Sequence, residues 1–343
     1  MKLSELGEFG LIELLNSIIN KSKNPHAASW QHSLIGIGDD AAVWQGDKSV
    51  QLATTDTLVE GVHFNLSVTD WEKLGWKSLA VNLSDIAAMG GIPKYALTSL
   101  ALPAELEADH ISNLYQGMTQ LANEFGVAIV GGDIVTAPNI VINVTIFGSL
   151  KGNVRSPLTR SAAKPGDQVA VTGCLGSSAA GLKMLRQKLG LDLETTTLLK
   201  QAHLQPMPRV NEGQILLQQG VRAAIDISDG LIADMTQICK ASHVGAEIKL
   251  ARVPIHPAVQ SNFKADCFQL ALTGGEDYEL LFTGSKKVIE QIQQILTCKV
   301  TVIGKITTEN VGLVSLIDAT GNIVSSQQRG WEHFRSQALD MKR

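Results

Sequence analysis

Apolar positions along this chain follow two periods. Leu11, Leu14, Leu15, Ile18 and Ile19 recur every three or four residues and predict an amphipathic first helix. A polar stretch over 20–33 reads as a loop, and short apolar runs at 34–37 and 50–54 predict strands. Thr69, Asp70, Trp71 and Glu72 match a capping box, so a helix is expected to start at Thr69 and run towards Met89, where Gly90, Gly91 and Pro93 end it. Residues 95–101 predict a strand, Leu106, Ile111, Leu114, Met118 and Leu121 a helix, and 127–130 and 140–147 two more strands. Periodicity then lapses over 148–167, which is rich in Gly, Pro, Ser, Lys and Arg, so a domain boundary is expected near 150, giving domains 1–150 and 151–343. The second half predicts a strand at 168–172, a helix at 178–189 and a polar loop with prolines near 206. A strand at 223–227, a helix at 231–242, strands near 246–250 and 278–283, a helix at 286–296 and two or three final strands complete it. Helices and strands alternating in both halves predict a two-domain α/β or α+β fold.

Composition narrows the setting. The chain has 343 residues, of which 44% are apolar and 18% charged, enough for a packed core in two domains. Its formal net charge is -4 and no basic block stands out, so neither a nucleic acid nor an anionic membrane is expected as a partner. Apolar runs are far shorter than a membrane span, and the first residues, acidic by Glu5, do not form a signal peptide. Cys174, Cys239, Cys267 and Cys298 are widely spaced without a Cys-x-x-Cys motif, and read as small apolar residues of a cytoplasmic protein.

Candidate chemistry lies at the ends of the apolar runs. Asp39 and Asp40 follow 34–37, Asp56 follows 51–53, Asp133 follows 127–130, and Asp226 and Asp229 flank the end of 223–227. Strand ends are where ligand sites open in α/β proteins. Carboxylates gathered in one cleft repel unless divalent cations lie between them, and all-oxygen ligands suit magnesium. Magnesium beside a polyanion points first to ATP. The segment 36–42 partly fits a dinucleotide fingerprint, but its acidic pair would face the pyrophosphate, so metal ligation by Asp39 is the better reading. Thr54, Thr55 and Asp56 can share magnesium, and His63 can contact a phosphate. Asn82 and Asp85 share one helical face. Gly131 and Gly132 let backbone approach a phosphate whose metal Asp133 would take. The run Asp226-Ile227-Ser228-Asp229-Gly230 fails as a calcium loop, because Gln237 stands at the twelfth position. It reads instead as metal ligands beside a helix N-terminus, with the Ser228 hydroxyl set for a phosphate oxygen. Gly274 and Gly275 open a close-approach loop in which Glu276 can accept hydrogen bonds from an amino-bearing substrate.

Taken in order, 36–42, 55–64, 81–90, 131–133, 158–167, 226–231, 274–283 and 330–334 resemble the thiamine-monophosphate kinases, of the superfamily of aminoimidazole ribonucleotide synthetase and selenophosphate synthetase. The resemblance implies direct in-line transfer of the ATP γ-phosphoryl group to thiamine monophosphate, assisted by several magnesium ions and without a general base. By position it implies that Asp39, Thr54, Thr55, Asp56, Asp85, Asp133, Asp226 and Asp229 hold magnesium. It assigns Tyr115, Gly132, Asp133, Arg160 and Ser228 to ATP, and His63, Glu276 and Trp331 to the thiamine phosphate. It also implies a homodimer formed through the N-terminal sheet, with a C-terminal α/β domain completing the substrate site. Departures are Ile134 and Val135 after Gly-Gly-Asp, Ser177 in place of an aspartate, and Ala162 and Lys164 in place of Gly and Arg. A selenophosphate synthetase is expected to carry a reactive N-terminal cysteine, and residues 1–173 contain none. An aminoimidazole-ribonucleotide-type ligase and a non-catalytic metal-binding scaffold are the remaining alternatives.

Overall fold

The structure, a computed structural model, describes residues 1–37, 42–46, 48–152 and 154–324. Asp39 and Trp331 therefore lie outside the described residues. The chain divides into two compact units. The first comprises Met1–Ile86 and Gly91–Arg155, and the second takes Ala87–Gly90 and the chain from Ser156 on.

In the first unit the described elements are α1 (Leu3–Ser22), α2 (Ala28–His32), β1 (Ser33–Ile35), β2 (Val43–Trp44), β3 (Gln51–Val59) and α3 (Trp71–Ala88). They continue with β4 (Ile92–Leu102), α4 (Ala108–Phe125), β5 (Ala128–Thr136) and β6 (Val141–Ser149). The predicted apolar stripe of α1 buries Leu11, Leu15 and Ile19, and the helix is broken at Gly7 (φ 74°). The expected loop over 20–33 contains a helical turn, α2. The helix expected from Thr69 begins at Trp71, because the carboxylate of Asp70, not a Thr69 hydroxyl, accepts the Lys73 N–H at 2.8 Å. It ends as expected, with Gly90 at φ 71° and the Gly90 and Gly91 N–H groups bonded to Ala87 and Ile86.

Strands β3-β6-β4-β5 form one sheet, antiparallel except for the β4–β5 pair. Two strands run further than the apolar runs suggested. β3 continues through Thr54, Thr55 and Asp56 to Val59, and β5 continues through Gly131, Gly132 and Asp133 to Thr136. Polar residues stop an apolar run, but they do not stop a strand whose two faces differ. Leu52, Thr54, Asp56 and Leu58 turn towards the face that carries buried Ile142, Val144 and Ile146, while Gln51, Ala53, Thr55 and Thr57 are exposed on the other.

The second unit holds β7 (Gln168–Thr172), α5 (Ser177–Gln187), α6 (Leu193–Leu204), α7 (Val210–Gln218), β8 (Ala223–Asp226), α8 (Leu231–Ser242) and β9 (Gly245–Lys249). After a 3-10 turn come α9 (Pro257–Asn262), α10 (Cys267–Thr273), β10 (Leu280–Gly284), α11 (Lys286–Ile295), β11 (Val300–Thr307), β12 (Val314–Ile317) and β13 (Ile323–Val324). Its sheet runs β13-β12-β9-β11-β7-β10-β8, and within the described strands of that sheet only β12–β9 is a parallel pair. Its core gathers Val169, Val171, Leu231, Met235, Leu281 and Ile303. The polar loop expected around residue 206 is flanked by two helices, α6 and α7, and α9 and α10 were likewise not indicated by periodicity. With both larger sheets mainly antiparallel and the short β1-β2 pair antiparallel too, the α+β alternative describes the fold. No described helix is long and apolar enough to cross a membrane.

Candidate functional site

In the first unit the sheet sorts the predicted ligands onto two faces. On the helix-covered face, the Thr54 hydroxyl donates to Asp85 Oδ2 at 2.6 Å. Asp85 comes from the last turns of α3, and Asp56 lies two residues along β3 on the same face as Thr54. Thr55 does not join them. Its side chain lies on the open face, with its Oγ1 2.9 Å from that of Thr145 and 3.2 Å from the Val144 carbonyl. Cross-strand register aligns Thr57, Asn143, Ser99 and Asp133 in one row of that open face, so Asp133 groups with the Thr55 side rather than with Asp56.

Gly132 is explained within the sheet. A Cβ there would stand 1.9 Å from the Thr98 carbonyl, next to the bulge between Ala96 and Leu97 in the β4–β5 ladder. Backbone crowding alone therefore requires a glycine at this position. Tyr115, on α4, is buried, and burial pushes its phenol well above the ordinary value, partly offset by the Thr98 hydroxyl beside it. Because Thr98 pairs with Gly132, Tyr115 lies behind the same stretch of sheet. His63 follows a turn after β3, and its Nδ1 accepts the Val59 N–H at 3.1 Å. That bond fixes the neutral ring with its proton on Nε2, a donor suited to an anionic oxygen.

In the second unit, Asp226 is the last residue of β8 and is buried, and Ser228 and Asp229 form the turn into α8. Here the predicted strand-end geometry is observed, and the turn that leads into the helix is bonded to an acid of the helix itself. Asp234, itself only 2% exposed, accepts the Asp229 N–H at 3.2 Å and the Gly230 N–H at 3.1 Å. Burial and the charges of Asp226 and Asp229 hold the Asp234 carboxyl far above the ordinary carboxylate range. Sequence reading missed Asp234, although an acid four residues beyond a Gly N-cap is a visible signal. Arg160 is exposed beside the start of β8, where Thr159 bridges Ala223.

Glu276 stands on a loop stitched to the Asp226–Asp229 turn. The Glu276 N–H reaches the Ser228 carbonyl at 2.8 Å and the Tyr278 N–H reaches that of Ile227 at 2.9 Å. Gly275 permits this approach, since a Cβ there would lie 2.0 Å from the Ser228 oxygen. Behind the loop is an ion pair that the sequence did not reveal. Arg209 Nε and Nη2 donate to Glu279 Oε2 and Oε1 at 2.7 and 2.6 Å, and Thr172 donates to Oε2 at 2.6 Å. Burial is the largest influence and opposes the Arg209 charge, but the Glu279 bond and the Glu279 and Glu212 charges together outweigh it and hold the guanidinium above its ordinary value.

Among the described residues, no three His, Cys, Asp or Glu side chains are arranged as a ready-made metal cage. The donors present are carboxylates and hydroxyls, grouped in ones and twos. That set fits magnesium, which keeps several waters and is held through one or two carboxylates together with substrate phosphates. Cys174 and Cys298 are half-buried and Cys239 and Cys267 buried, and none is bridged. Burial pushes the Cys239 and Cys298 thiols up to about 11, so they stay protonated and unreactive at neutral pH.

Residues 38–150 match the N-terminal domain of AIR synthase related proteins and residues 164–315 match the C-terminal domain. A thiamine-monophosphate kinase of Buchnera aphidicola is 40% identical over 323 residues, 92% of this chain and 98% of the relative. The chain belongs to the thiamine-monophosphate kinase family. A crystal structure of thiamine-monophosphate kinase from Stenotrophomonas maltophilia is 34% identical with a TM-score of 0.80, covering 91% of this chain and 97% of that one. A structure described as AaThiL complexed with AMPPCP and TMP is 33% identical with a TM-score of 0.75, covering 97% of this chain and 99% of the other. Kinase-family membership accounts for the resemblance of the separate motifs at once.

Proposed function

We propose that this protein is an ATP-dependent kinase that phosphorylates thiamine monophosphate to thiamine diphosphate. The observation that carries this reading is the similarity, over 97% of the chain, to a protein whose structure holds AMPPCP and TMP. The acceptor is a phosphate monoester with a second pKa near ~6, dianionic at neutral pH, so no general base is required. What the reaction needs is alignment of two polyanions and relief of their repulsion. Bound magnesium would neutralise phosphate charge and orient the reacting oxygens. Asp39, Thr54, Asp56, Asp85, Asp133, Asp226 and Asp229 are the groups that would hold it, with Thr55 contributing through its backbone or from the open face.

Thr54 keeps the Asp85 carboxylate in one rotamer, which supports this role. His63 would donate from Nε2 to an acceptor phosphate oxygen, Glu276 would accept from the substrate's amino group, and Trp331 would stack on a thiamine ring. Gly132, Asp133, Arg160 and Ser228 would hold ATP, with Tyr115 bracing Gly132 from the core. A homodimer through the open face of the β3-β6-β4-β5 sheet fits its exposed hydroxyl and amide row and the 51% exposure of Val135. A cytoplasmic setting fits four unbridged cysteines.

The test is product analysis after incubation with magnesium, ATP and thiamine monophosphate. Wild-type protein is expected to yield thiamine diphosphate and ADP together and to stop when EDTA is added. Asp85→Asn is expected to lower turnover at least ~100-fold with an unchanged thermal midpoint. ADP formed without thiamine diphosphate, or full turnover by the variant, would refute the reading.

A further inference from the structure

Glu276 and Tyr278 have φ values of 64° and 51°, in the left-handed region that residues with a Cβ avoid. Lys188 and His243 share that conformation as the C-caps of α5 and α8, where it is ordinary. No helix cap accounts for Glu276 or Tyr278. Their backbone is held by the bonds to Ser228 and Ile227, and the surrounding side chains hold it further.

His203 projects from α6 and is buried, with Nδ1 3.4 Å from Glu276 Oε2 and 3.1 Å from Ser178 Oγ. Its position is set by helix packing. α6 lies so close to α5 that a Cβ on Gly181 would stand 2.2 Å from the Leu199 carbonyl and 3.1 Å from the His203 Cβ. α5 is tied in turn to the strained loop, because Asp277 accepts the Gly176 and Ser178 N–H groups at 2.7 and 3.2 Å. Ser178 and His203 are enclosed, whereas the Glu276 side chain keeps 31% of its surface. A buried imidazole thus backs a carboxylate that remains accessible.

We propose that His203 is a positioning residue for the acceptor substrate: it fixes the Glu276 carboxylate as a hydrogen-bond acceptor for an amino-bearing aromatic ring. With the proton on Nδ1, the ring N–H faces both the Ser178 hydroxyl and the Glu276 carboxylate, and the 3.4 Å approach favours the carboxylate orientation seen here. The inference rests on Glu276 being a substrate acceptor, as given under the proposed function. His203 does not touch the reacting phosphates, so its loss is read in substrate affinity rather than in ATP use.

Steady-state kinetics on the full-length protein test this. His203→Ala is expected to raise KM for thiamine monophosphate about tenfold, the size of one charge-assisted hydrogen bond, and to leave KM for ATP within about twofold. His203→Asn puts an amide where Nδ1 stood and is expected to restore most of the loss, whereas His203→Gln, with its amide one carbon further out, is not. In a Glu276→Ala background, His203→Ala is expected to add nothing, because it acts through that carboxylate. Equal rises in both KM values, or full additivity with Glu276→Ala, would reduce His203 to a packing residue and overturn the inference. If the alanine variant does not fold, equal KM values for the Asn and Gln variants overturn it. A wild-type protein that makes no thiamine diphosphate overturns the functional reading and this inference with it. An active wild type whose KM is unmoved by His203→Ala overturns this inference alone.

Discussion

Asp277 shows how a single residue registers the electrostatic tension of its loop. Its carboxylate caps α5, yet burial pushes its carboxyl up to about 7, with the neighbouring Glu279 and Glu276 charges adding to the shift and the Gly176 and Ser178 N–H groups opposing it. In the unfolded chain the group titrates near ~3.9. Between about pH 4 and pH 7 the folded protein therefore holds a proton that the unfolded chain has released. Stability from this group is complete below the unfolded value and is lost as pH rises through about 7. Denaturant titrations at a series of pH values should show wild-type stability falling over that window relative to Asp277→Asn, by a few kcal/mol at most. Parallel pH profiles for the two proteins would show that Asp277 is not protonated in the fold. The sequence presented Glu276 and Asp277 as adjacent acids, but not that one faces His203 while the other accepts the N–H groups at the start of α5.

At the scale of elements, glycines with ordinary φ values mark where backbones touch. A Cβ on Gly75 of α3 would stand 1.8 Å from the Leu114 carbonyl of α4, and one on Gly117 of α4 would stand 1.8 Å from the Glu72 carbonyl of α3. The two helices cross there without side chains between them. Gly117→Ala should cost about 3 kcal/mol of unfolding free energy in urea, the upper range of overpacking, although alanine is the better helix former. A loss below ~1 kcal/mol would mean the helices can part at little cost. α4 was legible in the sequence as a periodic apolar stripe, whereas α3, buried on nearly all sides over 74–88, was legible by its capping signal and the glycines that end it. α6 was not: among its residues only Thr195, Leu199, His203 and Leu204 are buried, and two of those are polar. Its start was nevertheless marked, since Asp192 accepts the Thr195 N–H at 2.9 Å as an N-cap does. β3 was cut short for a related reason. Its outward residues include Thr55 and Thr57 and its inward ones Thr54 and Asp56, so apolar run length underestimates a strand that carries polar groups on both faces.

On the scale of the whole molecule, the proposed dimer can be tested on the open face of the first unit's sheet. Thr145 stands in the middle of that face, opposite Thr55 on one side and Leu97 on the other. Thr145→Lys should convert a dimer to a monomer in light scattering or sedimentation, with unchanged far-UV circular dichroism, because the lysine ammonium would be buried without a partner. A dimer that persists at micromolar concentration would remove that face from the interface. The two-domain fold and the family were readable from the chain itself, since strand and helix periodicity and the ordered Gly-Asp motifs are local properties. The chain also named the carboxylates. Tertiary structure decided how they are grouped: the pleat of β3 separates Thr55 from Thr54 and Asp56, the register across the sheet sets Asp133 among hydroxyls, and Asp234 takes the N–H groups at the start of α8. It also brought His203 to Glu276 and Arg209 to Glu279, across 73 and 70 residues of sequence respectively (276 − 203 and 279 − 209). Spacing along a chain fixes which residues share a strand or a helix face. Which of them meet is set by packing between elements, and that depends on the close contact at Gly181 and on backbone bonds that no local pattern records.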